Sequence, residues 1–205
     1  MKIKDKWSDV TIGEYERIVD IIKSTDDEIE RLTGVISVLS GVDEDEIADM
    51  PITEIARIGQ KLDFLNSFEF NKNASYKSLV IDGETLVLAV KDMSVAQYVD
   101  FQATWSAETK DLARIISICY VPKGKIYNKD YDIEELIDKI RNNVSIDKAN
   151  SIGFFLLKKL NGLTAFTLRF LGAIQRYRAM KTAQAMTGKK MPLIKRFLYI
   201  TGLRS

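Results

Sequence analysis

The 205-residue chain has no histidine, one cysteine, three prolines and no acidic residue after Asp147. Each scarcity removes a class of chemistry. Without histidine the commonest general base and the commonest metal ligand are missing, which leaves carboxylates, lysines and tyrosines. Cys119 cannot form an internal disulfide. It lies in the apolar run "IISICYV" and reads as a small buried hydrophobe in a reducing compartment rather than as a nucleophile. No glycine-rich phosphate loop is present, since the glycines stand singly at turns and helix ends. Long apolar runs are also missing. The most hydrophobic stretch, 152–174, is broken by Lys158, Lys159, Asn161 and Arg169. A bilayer core needs about 20 apolar residues, so no membrane span is expected. The polar opening "MKIKDKWSD" argues against a secretory leader. The expectation is a soluble, non-enzymatic protein with no catalytic residue, cofactor or metal.

What is present is sharply divided by charge. Net charge is +1, yet residues 1–150 hold 19 bases and all 29 acids, a net −10, while 151–205 hold 11 bases and no acid. Such a split points to an interaction segment. We therefore expect two regions, an acidic helical domain over 1–150 and a basic, apolar-striped helical segment over 151–205.

Helix starts are legible in the first region. Thr11 precedes Glu14 by three residues and Thr25 precedes Glu28 by three, each the spacing of a capping box. Asp43 heads the acidic "DEDEIADMP", Pro51 opens a helix running to about Leu65, and further helices are expected from Ser94, over 107–120, after Asp132 and after Ser145. Between them "YKSLVIDGETLVLAV" (76–90) places two β-type runs around Asp82-Gly83, a hairpin signal. A lone hairpin is marginal in water, so it should pack on helices or pair with another chain. The fold class is mainly α with one β-hairpin (α+β).

Two stretches invite a metal reading and fail it. Consecutive carboxylates in "DEDE" (43–46) point in different directions on a helix. "NKDYDIEELIDK" (128–139) has oxygen ligands at calcium-loop positions one, three and five, but Ile133 where glycine is needed and Lys139 where glutamate is needed.

In the second region a long helix is expected over 164–186, with Phe166, Phe170, Ile174 and Tyr177 as a stripe and Leu156 as a further apolar contact. Arg169, Arg176, Arg178, Lys181, Lys189, Lys190, Lys195 and Arg196 are the candidate basic contacts. Composition leaves four readings open: an interfacial membrane helix, a backbone contact to nucleic acid, a dock for an acidic protein surface, and a solvated basic bundle. Against the last, "GFFLLKKL" and "FTLRFLGAI" each carry five large apolar residues, more than a solvated helix leaves uncovered.

Trp7 and Thr11 in "WSDVTIGEYERIVDI", then Leu39, Ser40, Gly41, Asp43, Glu44, Glu46, Pro51 and Ile52 in "VISVLSGVDEDEIADMPITEIARI", followed by "LDFLN", form a recurring order. A W-x-x-(V/I)-(T/S) opening precedes a helix, an apolar helix ends in L-(S/T)-G-(V/I), and an acidic run leads to an apolar-Pro element. This order resembles the tail assembly chaperones of tailed bacteriophages. The later "YVPKGKIYNKDYDIEELIDKIRNN" is similar to phage proteins of about this length. The resemblance covers the first two thirds of the chain. It implies a morphogenesis protein of the host cytoplasm that binds hydrophobic helical segments of other tail or virion proteins. The basic final third departs from that family's acidic or neutral ends. It raises a second expectation: a structural protein kept in the virion, packed against a portal, tail lumen or capsid interior. Further copies of the chain and the DNA backbone are the other partners the basic end admits.

Overall fold

The computed structural model describes residues 1–67, 71 and 74–159. Eight α-helices and a small sheet follow one another in the order α1 (Ile12–Ser24), α2 (Glu28–Ser40), α3 (Glu44–Ala48), α4 (Ile52–Gly59), β1 (Ser78–Ile81), β2 (Glu84–Leu88), α5 (Val95–Ser106), α6 (Leu112–Cys119), β3 (Tyr120–Pro122), α7 (Ile133–Asn143) and α8, helical over 146–159. A 3₁₀ segment, Gln60–Asn66, continues α4. The protein is mainly helical, as the sequence patterning predicts, with one three-stranded antiparallel sheet. The chain divides into Met1–Leu156 and Leu157–Ser205. The division falls after 150 because α8 is continuous through that position and buries Ile146, Ala149, Ile152, Phe155 and Leu156 in the first unit.

The N-terminal helices are set by their caps. Thr11 and Glu14 form the expected capping box: Glu14 N–H donates to Thr11 Oγ1 at 3.2 Å, and Thr11 N–H to Glu14 Oε2 at 2.9 Å. The expected box at Thr25 and Glu28 does not form. Asp27 takes the cap instead, accepting from Ile29 N–H at 2.8 Å and Glu30 N–H at 3.1 Å, while Thr25 ends α1 and donates to Glu30 at 2.6 Å. A carboxylate next to the positive end of the helix outcompetes a hydroxyl two residues earlier. Gly41, at φ 72°, closes α2 in the left-handed conformation that glycine adopts without strain. Asp43 caps α3 through Asp45 N–H at 3.0 Å.

α1, α2, α3 and α4 enclose one core, in which Val10, Ile18, Ile36, Leu39, Ile47 and Ile58 are buried. Gly34 lets α1 and α3 close on α2: a methyl at that position would meet Ile21 Cγ2 at 3.1 Å and Glu44 Oε1 at 3.6 Å. Trp7 lies edge-on to Tyr15 and Phe64, at 5.8 and 5.2 Å, and donates from Nε1 to Ser67 O at 2.7 Å.

Residues 115–119 of α6 are all buried, which suits a helix that is apolar on every side and is packed against α5 and α7. The hairpin turns at Asp82 (φ 48°) and Gly83 (φ 76°), the paired left-handed residues such a two-residue loop requires. It does not stand alone. The chain leaves α6 directly into β3, and Val121 pairs with Val87 and Tyr120 with Leu88. The sequence patterning ends the preceding helix at residue 120 and assigns 121–132 to a loop; the first residues of that span are instead the third strand. Tyr120 is fully buried, with its hydroxyl donating to Tyr76 O at 2.7 Å.

Thr11 and Ser145, each the residue before a helix, pair in an isolated antiparallel bridge. Ile12 N–H donates to Val144 O at 3.0 Å and Ile146 N–H to Val10 O at 2.8 Å. The first amide of each helix, which has no partner within its own helix, is thereby satisfied by the other segment.

Candidate protein-interaction surfaces

Of the residues the sequence marks as partner contacts, only Leu156 lies among the described residues. It is fully buried. Ile152, Phe155 and Leu156 fall at three- and four-residue spacing on the inward side of α8, and Phe154 is the more exposed neighbour, so Leu156 belongs to the core rather than to a contact stripe. Phe166, Phe170, Ile174, Tyr177, Arg169, Arg176, Arg178, Lys181, Lys189, Lys190, Lys195 and Arg196 lie outside the described residues, as does the expected helix over 164–186.

The residues that carry the family resemblance are structural here. Trp7 closes over the N-terminal core, Thr11 and Asp43 cap helices, Leu39 is buried, and Gly41 turns the chain. Their order encodes a helical arrangement. It does not by itself mark a binding surface.

The body's acidic excess, by contrast, becomes localised. Residues 20–54 hold 11 acids and two bases, a net −9, and they form the end of α1, all of α2 and α3, and the start of α4. Two of the acids have a local task. Asp27 caps α2, and those backbone hydrogen bonds hold its carboxyl below the usual range. Asp43 caps α3. The exposed Asp26, Glu28, Glu44, Asp45, Glu46 and Asp49 form no ion pair among the described residues. Amid them Ile29 is 69% exposed and Ile22 is 50% exposed.

A second surface is apolar and nearly uncharged. α5 buries only Gln97 and Phe101 and exposes Val95, Ala96, Val99 and Ala103. Its single charged residue, Asp100, accepts from Tyr127 Oη at 2.9 Å. Gln97 fixes the helix: it completes a capping box with Ser94 and donates from Nε2 to Ile118 O at 2.6 Å. The pattern analysis passes over this face, although "SVAQYVDFQATW" shows it by being apolar on both sides of one helix.

The stretches with metal-like spacing are occupied by local structure. Asp130 Oδ2 accepts from Ile126 N–H at 2.8 Å, and Asp132 caps α7 through Glu134 N–H at 2.9 Å. Among the described residues no three acids or cysteines converge as a metal site. Cys119 is buried, and burial pushes its thiol up to about 12, against thiolate chemistry. A cleft of about 180 Å³ lies between Glu84, Lys125, Tyr131, Glu135 and Lys139. Its charges are already matched, Lys125 to Glu84 at 3.5 Å and Lys139 to Glu135 at 2.9 Å. Among the described residues no helix is long and apolar enough to cross a membrane. The chain matches no protein-family profile, no curated protein and no solved structure.

Proposed function

We propose that this chain is a non-enzymatic bacteriophage tail or virion assembly protein that acts by binding other proteins, in the manner of a tail assembly chaperone, in the host cytoplasm. The observation that carries the reading is the segregation of contact surface on one polypeptide. An acidic helical face and an uncharged apolar helix face occupy the body, and an acid-free segment rich in bases and aromatics follows it. A chaperone of helical tail components needs apolar surface to shield its client and a strong field to keep the complex soluble. The order of capping and packing residues from Trp7 to Ile52 supports the same reading by resemblance.

The acid-free segment favours a second reading, a protein retained in the particle whose basic end meets an acidic protein surface or packaged DNA. Mass spectrometry of purified particles separates the two. A chaperone is absent from them and co-purifies from infected cells with the long helical tape-measure component, in a complex that resists salt. A retained protein appears in fixed ratio to the portal, and any DNA contact weakens steeply as salt rises. Absence from particles together with no association with any tail component during infection overturns both.

A further inference from the structure

We propose that the face formed by α2 and α3 docks the basic segment 151–205 of a second copy of this chain. The face is an unpartnered pair of packed helices. Ile29 and Ile22 stand exposed at the closed end of the α1–α2 turn, and Asp26, Glu28, Asp45, Glu46 and Asp49 surround them on exposed positions.

Helix capping explains Asp27 and Asp43, and the dipole favours acids in a first turn, but neither accounts for a net −9 over 20–54. So dense a field repels itself and destabilises the body unless cations meet it. The same polypeptide supplies them: 151–205 carry 11 bases without one acid, and the whole chain sums to +1. Two copies therefore neutralise one another when the acidic face of one meets the basic segment of the other. That contact is necessarily unlike-to-unlike, because the α2–α3 face cannot pair with its own symmetry mate. The exposed isoleucines give it an apolar footing, and the basic segment matches them with residues such as Phe166 and Phe170 set beside Arg169. The proposal concerns self-association and stands apart from the identity of any other partner, so the tail-assembly reading survives its failure.

The test is sedimentation velocity of the full chain in about 0.1 M and about 1 M salt, between which the screening length falls from about 10 Å to about 3 Å. The wild-type chain is expected to associate at the lower salt and to run as a single chain at the higher. A triple variant, Glu28→Lys, Asp45→Lys and Glu46→Lys, should associate at least about tenfold more weakly at low salt, from loss of several charge pairs. So should the complementary variant Arg176→Glu, Arg178→Glu and Lys181→Glu. Mixing the two reversed variants should restore association, which a misfolded chain would not do. The neutral set Glu28→Gln, Asp45→Asn and Glu46→Gln should give a smaller loss in the same direction, with its thermal melt confirming the fold. A wild-type chain that is monomeric at both salts, association indifferent to the acidic substitutions, or no recovery on mixing overturns the proposal.

Discussion

Around Arg141, carboxylates from three places in the fold converge on one guanidinium, whereas across α2 and α3 a larger set of carboxylates meets no cation. Arg141 pairs with Glu16 of α1 at 3.0 Å, with Asp111 before α6 at 3.0 Å and with Asp138 of its own helix at 3.1 Å. Its stem lies over Gly13, where a methyl would come within 3.1 Å of Cγ, so α1 and α7 approach closely. Nearby, Arg114 holds Glu134 at 2.9 Å. In this region acids tie elements together. In α2 and α3 they cap helix ends and otherwise face outward. The difference teaches that the chain's composition is not uniformly salt-bridged. Charge pairing is concentrated where helices must be registered, and unbalanced charge is left where contact with another molecule is open.

Four measurements break or sharpen that contrast. Arg141→Ala should cost the most, about 1–3 kcal/mol of unfolding free energy, because it leaves three carboxylates without their shared partner and strips the stem from Gly13. Chemical denaturation reads this, and a cost near zero would mean the network is decorative. Asp27→Ala should come next, at about 1 kcal/mol, because it removes the cap of α2; the neighbouring Asp26→Ala should change little.

The third measurement uses pH, because two glutamates two residues apart respond in opposite senses. Burial raises Glu14, but Lys4, at 2.5–2.6 Å, and the Thr11 N–H outweigh it and hold the folded carboxyl below 4.5. Its stabilising contribution is therefore present above that value and is lost as pH falls through the folded pKa. Burial raises Glu16 and outweighs the opposing attraction of Arg141, with Asp111 adding to the rise. Its ionisation therefore costs stability as pH climbs past 4.5, and acid relieves that cost. Glu14→Gln should flatten the fall of Tm below about pH 5, and Glu16→Gln should steepen it. Matching profiles for the two variants would refute the assignment.

The smallest effect is expected on the acidic face. Glu28→Gln, Asp45→Asn and Glu46→Gln together should shift stability of the monomer by no more than about 0.5 kcal/mol. Added salt should raise the Tm of the wild-type chain more than that of the triple variant, because only the former has the repulsion to screen.

Local signals in the sequence carried most of the fold. Thr11 with Glu14, Asp43, Asp132, Gly41 and Asp82-Gly83 each act within a few residues, so their chemistry can be read without knowing the rest of the chain. What escaped depends on partners distant in sequence. Tyr120–Pro122 is too short to announce a strand and becomes one only because β2 offers Val87 and Leu88 as its pair. At Thr25 two cap candidates lay within three residues, and the spacing rule could not rank them. Leu156 looked like a surface contact because an apolar run does not reveal which of its sides the body covers. The acidic surplus was legible as a count. Its focus on two packed helices was not, since that needed α3 folded back along Gly34.

The bridge between Thr11 and Ser145 carries a consequence for biosynthesis. The segment that satisfies the opening amide of α1 is translated more than a hundred residues later, a delay on the order of ten seconds at ribosomal speed. Until then the amino-terminal helices can collapse but cannot be clasped, and closure of so long a loop is the kind of step that slows folding. A nascent chain stalled before Val144 should therefore hold its first helix loosely and stay open to proteases there, and release past Ile146 should protect it.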